Sequence, residues 1–182
     1  MKKIAIAMLA ALSFSAFAAD YLEVAVDQVN GRKGGSDSTA QYVRAGKAFG
    51  DYQVGVQQRT AKFTDNSVGT STETYLSNSK VSAFGITPFV GMGHDYGSGS
   101  NQSYNYGLVG ATAGMQVGPG FALVGVKART GTTEIGTRTK QTLSFASYSV
   151  PVAKNVAVNL NASRSAQDIK EAAFGLGLSV GF

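Results

Sequence analysis

The last fourteen residues, Ile169 to Phe182, constrain the fold more than any other segment. Ala172, Phe174, Leu176, Leu178, Val180 and Phe182 share one parity, while Glu171, Ala173, Gly175, Gly177, Ser179 and Gly181 share the other. Side chains alternate across a strand, so this segment is a β-strand with one large apolar face and one small or polar face. A half-buried strand of a soluble sheet has the same period. The other end of the chain separates the two readings.

Lys2 and Lys3 precede an apolar run from Ile4 to Leu12, and Ala16-Phe17-Ala18 makes a small-x-small cleavage motif before Ala19. That is the layout of a secretory signal, and the run is too short for a helical membrane span. The chain therefore divides into an export signal, residues 1–18, and a mature domain, residues 19–182. Loss of Lys2 and Lys3 takes the formal charge from +5 to +3. Such mild basicity does not argue for nucleic acid as a partner. The chain has no Cys, so disulfides contribute nothing even in an oxidising compartment.

From Ala19 onward, alternating stretches recur with turn chemistry between them. The pattern predicts about ten strands: residues 20–29, 40–49, 52–63, 74–86, 89–96, 104–117, 121–130, 136–150, 155–164 and the terminal segment. Eight result if a pair merges within residues 74–96. Tight turns are expected at Gly50-Asp51, near Thr87-Pro88, at Gly118-Pro119-Gly120 and over Pro151 to Lys154. Longer polar connections, up to about ten residues, follow the odd-numbered strands, and bacterial transmembrane barrels have this asymmetry. A ten-residue strand rising about 3.3 Å per residue and tilted about 45° covers roughly 23 Å, close to the apolar band of such barrels. The 23 glycines, many inside alternating runs, suit tight bends or the inner face of a narrow closed sheet. The expected fold is an all-β, closed, antiparallel up-and-down transmembrane barrel.

Three segments carry a family resemblance: the Ala16-Phe17-Ala18 signal end, Tyr106 to Arg129 with its Gly-Pro-Gly turn, and Phe174 to Phe182. Through them the chain resembles the small outer-membrane β-barrel proteins of Gram-negative bacteria, the porin-like and OmpA-like group. The resemblance implies a place in the cell outer membrane, among its lipid and lipopolysaccharide. It also implies that Phe174, Leu176, Leu178, Val180 and Phe182 form the signal read by the barrel-assembly machinery. The chain departs from the group in having no Trp, so Tyr and Phe must make any aromatic girdle. No peptidoglycan-anchoring domain is expected after Phe182.

Little in the sequence points to catalysis. His94 and Asp95 are neighbours, and neighbours in a strand face opposite ways, so they do not make a His–carboxylate pair. One His, no Cys and scattered carboxylates do not make a metal site. Gly91-Met92-Gly93 and Gly175-Leu176-Gly177 precede no helix and are not nucleotide fingerprints. The expectation is a non-enzyme without a cofactor.

The notable constellation is charge on the expected inner face. Glu23, Asp27 and Glu171 fall on the first and last strands, Arg44 and Arg59 on the second and third, and Lys127, Arg129, Arg138 and Lys140 on a later hairpin. Opposing groups either pair and close the lumen or stay apart across water and orient small polar solutes. Arg32, Lys33 and Arg164 are candidates for lipopolysaccharide phosphates. The function expected is a structural or narrow porin-like passage for ions or small polar solutes. The alternative is a non-conducting surface protein that binds a partner through its loops.

Overall fold

A computed structural model describes residues 20–31, 37–97, 102–133, 136–167 and 171–182. The expected export signal lies outside the described residues. Ten strands run in chain order: β1 (Tyr21–Gly31), β2 (Ser38–Phe49), β3 (Tyr52–Phe63), β4 (Val68–Asn78), β5 (Ile86–Gly97), β6 (Gln102–Val117), β7 (Gly120–Thr133), β8 (Arg138–Ala153), β9 (Val156–Gln167) and β10 (Glu171–Gly181). Each pairs antiparallel with its sequence neighbours, and β1 pairs with β10 to close the barrel. The count is ten, not the alternative eight.

Two expectations are corrected. The fourth strand is Val68–Asn78, not 74–86, and the turn lies at 79–85 around a 3-10 segment, Ser79–Val81, not at Thr87-Pro88. Thr70 and Thr72 account for the earlier start, since β-branched threonines extend a ladder as readily as they fill a polar loop. The loop asymmetry holds at three of the four connections beside the termini, each of two residues, and fails at the fourth. Several strands run on through the polar residues assigned to outer loops, and the connection at 79–85 lies at the end of the barrel that carries both termini. Opposite it is the loop end. The tight turns behave as their residues require: Gly50 and Gly118 sit at φ +61° and +56°, in the left-handed region. Pro151 lies within β8 at a register shift between Pro151 and Ala153, where a strand tolerates a missing N–H.

The barrel is apolar outside and polar inside. Val26, Val54, Val109, Met115, Val124, Leu160, Phe174, Leu176 and Leu178 are all exposed outward residues. The buried set includes Asp27, Glu73, Lys127, Gln141, Asn159 and Asn161. Most apolar outward residues occupy the half nearer the termini, with Val68, Tyr96 and Phe174 as exceptions nearer the loop end. Polar outward residues nearer the loop end include Gln28, Thr39, Gln41, Thr60, Lys62, Thr70, Thr72, His94, Asn105, Thr130, Thr132, Arg138, Lys140 and Arg164. At the terminal end, Lys47 Nζ bonds Asp20 Oδ1 at 2.9 Å and the Ala48 N–H donates to Asp20 Oδ2. The Lys47 ammonium, followed by the Ala48 amide, holds the Asp20 carboxyl below the usual carboxylate range.

The strand glycines have a steric reason. Inside the barrel the Tyr21 ring lies on its register partner Gly46, Tyr75 on Gly55, Phe89 on Gly110, Tyr106 on Gly93 and Phe145 on Gly125. A Cβ at any of these five glycines would overlap the ring. Each glycine is therefore a socket that lets a large ring lie flat on a strongly curved wall. Gly107 is the control: it faces outward with nothing near the place of a Cβ. Gly93→Ala is expected to destabilise the refolded barrel by about 1–3 kcal/mol, as overpacking does. Gly107→Ala should stay within about 0.5 kcal/mol of the unaltered chain, as surface changes do. Urea unfolding of the two variants side by side measures both.

Candidate functional site: the charged lumen

Cross-strand partners share a face, so the registers decide which charges meet inside. Glu23 and Asp27 (β1), Arg44 (β2), Arg59 (β3), Lys127 and Arg129 (β7) and Glu171 (β10) all project into the lumen. Arg138 and Lys140 do not, which corrects the expectation for them. They pair with Thr132 and Thr130, on the outward parity of β7, whereas Lys127 and Arg129 pair with the inward Leu143 and Gln141. In both β7 and β8 the odd-numbered residues face inward, so the even-numbered Arg138 and Lys140 fall outside. Arg164, on β9, also faces outward and is exposed. Arg32 and Lys33 lie outside the described residues. Phe174, Leu176, Leu178, Val180 and Phe182 form the outward face of β10.

The lumen charges pair across the barrel. Arg44 Nη1 lies 3.1 Å from Glu23 Oε1, and Arg44 Nε donates to Gln57 Oε1 at 2.8 Å. Asn161 Nδ2, from β9, donates to the same Glu23 oxygen at 3.3 Å. Arg59 reaches Glu171 at 3.7 Å, joining β3 to β10. The Tyr42 ring stands beside both arginines, 4.9 Å from the Arg44 guanidinium carbon and 5.9 Å from that of Arg59. Asp27 is 4% exposed; its Oδ1 rests on Gly175, where a Cβ would collide. Glu23 Oε1 lies 2.9 Å from the Cβ position of Gly177, a looser but still close approach.

The central junction was not among the expected residues. Glu73 on β4, 2% exposed, accepts from Lys127 Nζ at 2.5 Å, Arg129 Nη2 at 2.5 Å and the Tyr106 hydroxyl at 3.1 Å. Tyr106 also donates to Asp95 Oδ1 at 3.3 Å, and Tyr104 donates to Asp95 Oδ2 at 2.6 Å. Arg129 Nη1 donates to Gln141 Oε1 at 2.7 Å. One carboxylate thus bridges two cations reaching from three strands away. The signal for it is parity, since Glu73 alternates in phase with Tyr75, but a strand beginning at Thr74 excludes it. Across the terminal half, the Tyr21 and Tyr75 hydroxyls meet at 2.9 Å.

Beside these pairs lies a cavity of about 590 Å³. Its lining is uneven. β1–β4, β7 and β10 supply the charges; β8 and β9 supply Gln141, Leu143, Phe145, Ser147, Ser149, Asn159, Asn161 and Ser163, with no charge among them. His94 is outside the lumen, its Nδ1 2.8 Å from Asn105 Oδ1, while Asp95 faces inward.

Removing one partner of a buried charge cluster leaves the others uncompensated and costs about 3–5 kcal/mol. Glu73→Ala is therefore expected to destabilise the barrel by about 3 kcal/mol, the low end because the adjacent cavity can admit water. Lys62→Ala, outward and solvated, should change stability by less than about 0.5 kcal/mol. Urea midpoints of the refolded variants check both.

No protein-family model matches the chain, and no curated protein matches it by sequence. Several solved structures are similar to it in form. The structure titled Neisserial surface protein A is 11% identical over 89% of this chain and 95% of that one, with a TM-score of 0.46. The KdgM porin in complex with disordered oligogalacturonate is 11% identical over 89% and 99%, with a TM-score of 0.49. The β domain of the Bordetella autotransporter BrkA is 10% identical over 89% and 98%, with a TM-score of 0.44. At these identities the likeness is one of barrel form, without residue-level correspondence.

Proposed function

We propose that this chain is an integral outer-membrane β-barrel, exported through a cleaved signal over residues 1–18, whose lumen is a narrow passage for small ions and polar solutes. The observation that carries the reading is the inverted distribution of polarity. An apolar outer wall is unfavourable in water and favourable in lipid, and a closed sheet is one of the two forms that satisfy the backbone there. The charges inside then belong to a water-accessible interior, and the cavity beside the salt bridges gives small solutes room.

Outward residues support an orientation. Among the described strand residues nearer the loop end, every outward charge is a cation: Lys62, Arg138, Lys140 and Arg164. Such a collar above an apolar belt suits lipopolysaccharide phosphates on the outer surface. Arg32 and Lys33 would add to it from the first loop. The terminal end then faces the periplasm, and the apolar outward face of β10, ending in Phe182, serves as the segment read by the barrel-assembly machinery. No catalytic role is assigned, since His94 and Asp95 stand on opposite sides of the wall.

A second reading has its own support. The Glu73, Lys127 and Arg129 cluster ties β4 to β7 across the lumen, and a barrel stapled this way could be closed, presenting its loops to a partner. Planar-bilayer recording of the refolded mature chain separates the two. The passage reading expects steady conductance that shifts toward anion preference in Asp27→Ala, because an acid is lost beside Arg44 and Arg59. Arg138→Ala, on the outer wall, should leave selectivity unchanged. A correctly folded barrel that never conducts would overturn the passage and leave the closed surface protein.

A further inference from the structure

All four lumen cations already face an acid, while among the described residues Asp27 Oδ1, Arg59 Nε and Arg129 Nε are buried without a hydrogen-bond partner. Arg44 is matched by Glu23, Arg59 by Glu171, and Lys127 with Arg129 by Glu73. A charged solute entering the cavity must disrupt a pair to gain a partner, whereas a neutral solute with many hydroxyls adds hydrogen bonds to pairs left intact. The facing arc, from β8 and β9, offers hydroxyls and amides without charge: Ser147, Ser149, Asn159, Asn161 and Ser163.

Aromatic rings complete the chamber. Tyr75, Phe89 and Phe145 line the cavity, and each has a glycine of the neighbouring strand beneath it, Gly55, Gly110 and Gly125. With its outer ring atoms over a glycine, each ring lines the cavity, and Tyr75 and Phe89 meet edge to face with centroids 6.1 Å apart. Ring faces carry the negative lobe of the quadrupole, which attracts the slightly positive C–H face of a saccharide ring. Flat rings, neutral amides and hydroxyls in a space of about 590 Å³ match a small ligand with apolar ring faces and a polar rim.

We propose that the lumen cavity is a binding chamber for small, uncharged, polyhydroxylated solutes of the saccharide type, held between the Ser/Asn arc of β8–β9 and the glycine-seated rings. The proposal rests on the lumen being water-accessible, as in the passage reading, and adds a solute class to it. Phe145 and Ser147 are placed as recognition residues on the neutral arc.

Equilibrium dialysis of the refolded mature chain in detergent micelles tests this, with glucose as the neutral probe and gluconate and glucosamine as charged probes of similar size. The expected result is saturable glucose binding, with both charged probes weaker by about fivefold or more. Phe145→Leu and Ser147→Ala should each weaken glucose by about fivefold, the loss of roughly one net contact. Both variants keep side-chain bulk, and heat-modifiable migration on a gel verifies that they fold. No saturable glucose binding, equal binding of the charged probes, or unchanged binding by both folded variants would overturn the proposal. Bilayer recording of the same preparation keeps the two readings apart. Glucose binding without conductance sinks the passage and keeps the chamber, and conductance without glucose binding does the reverse.

Discussion

The pairing of β1 with β10 is the contact on which everything else depends. An open ten-stranded sheet would leave two rows of unpaired N–H and C=O groups and no inside for its charges. Closure removes both edges at once and turns the small-residue face of each strand into a lumen. It also brings Glu23 and Asp27 against Gly177 and Gly175, so the acids of the first strand lie over the glycines of the last. The seam is thus specified by shape as well as by its ladder: a larger residue at either glycine would push an acid aside.

Closure at this strand number makes a narrow interior, and the chain fills it in two ways. Rings lie on glycine sockets along the wall, and long charged side chains reach across the middle. The ring packing gives the polar interior its solid part. The charge network supplies the cross-links, above all Glu73 holding Lys127 and Arg129 while Tyr106 and Tyr104 tie in Asp95. Buried charge is costly unless paired, and these pairs are arranged so that no lumen cation relies on solvent alone. What remains unfilled is the side next to β8 and β9, where serine and asparagine take the place of charge. A barrel plugged on one arc and open on the other can be both robust and permeable.

Much of this was legible in the residues. The alternation of β10 and the glycines at 175 and 177 mark which face is inner, and seven of the nine expected inner charges do project into the lumen. Local pattern does not carry register, and register is where the reading broke. Arg138 and Lys140 sit three residues and one residue from the inward Gln141, yet the inward parity of β8 is odd and theirs is even. Glu73 was missed because Thr70 and Thr72 look like loop residues to a propensity argument, although they form the outward half of a strand. Its role depends on Lys127 and Arg129, 54 and 56 residues further along, and only the closed sheet brings them together. Polar outward residues near the loop end hid strand length for the same reason, because an alternation of polar with small residues has little amplitude.

The central claim is that apolar side chains on this barrel face lipid and the alternate ones face an aqueous interior. Because the chain has no native Cys, single cysteines at successive positions from Ala172 to Val180 of β10 can each carry a spin label in the barrel reconstituted into liposomes. Collision rates with lipid-dissolved oxygen and with a water-soluble nickel complex then report the surroundings of each. The account predicts strict alternation, with oxygen dominant at Phe174, Leu176 and Leu178 and not at Ala173, Gly175 and Gly177. Oxygen and nickel accessibilities that vary without period two, or that alternate in the opposite phase, would contradict it.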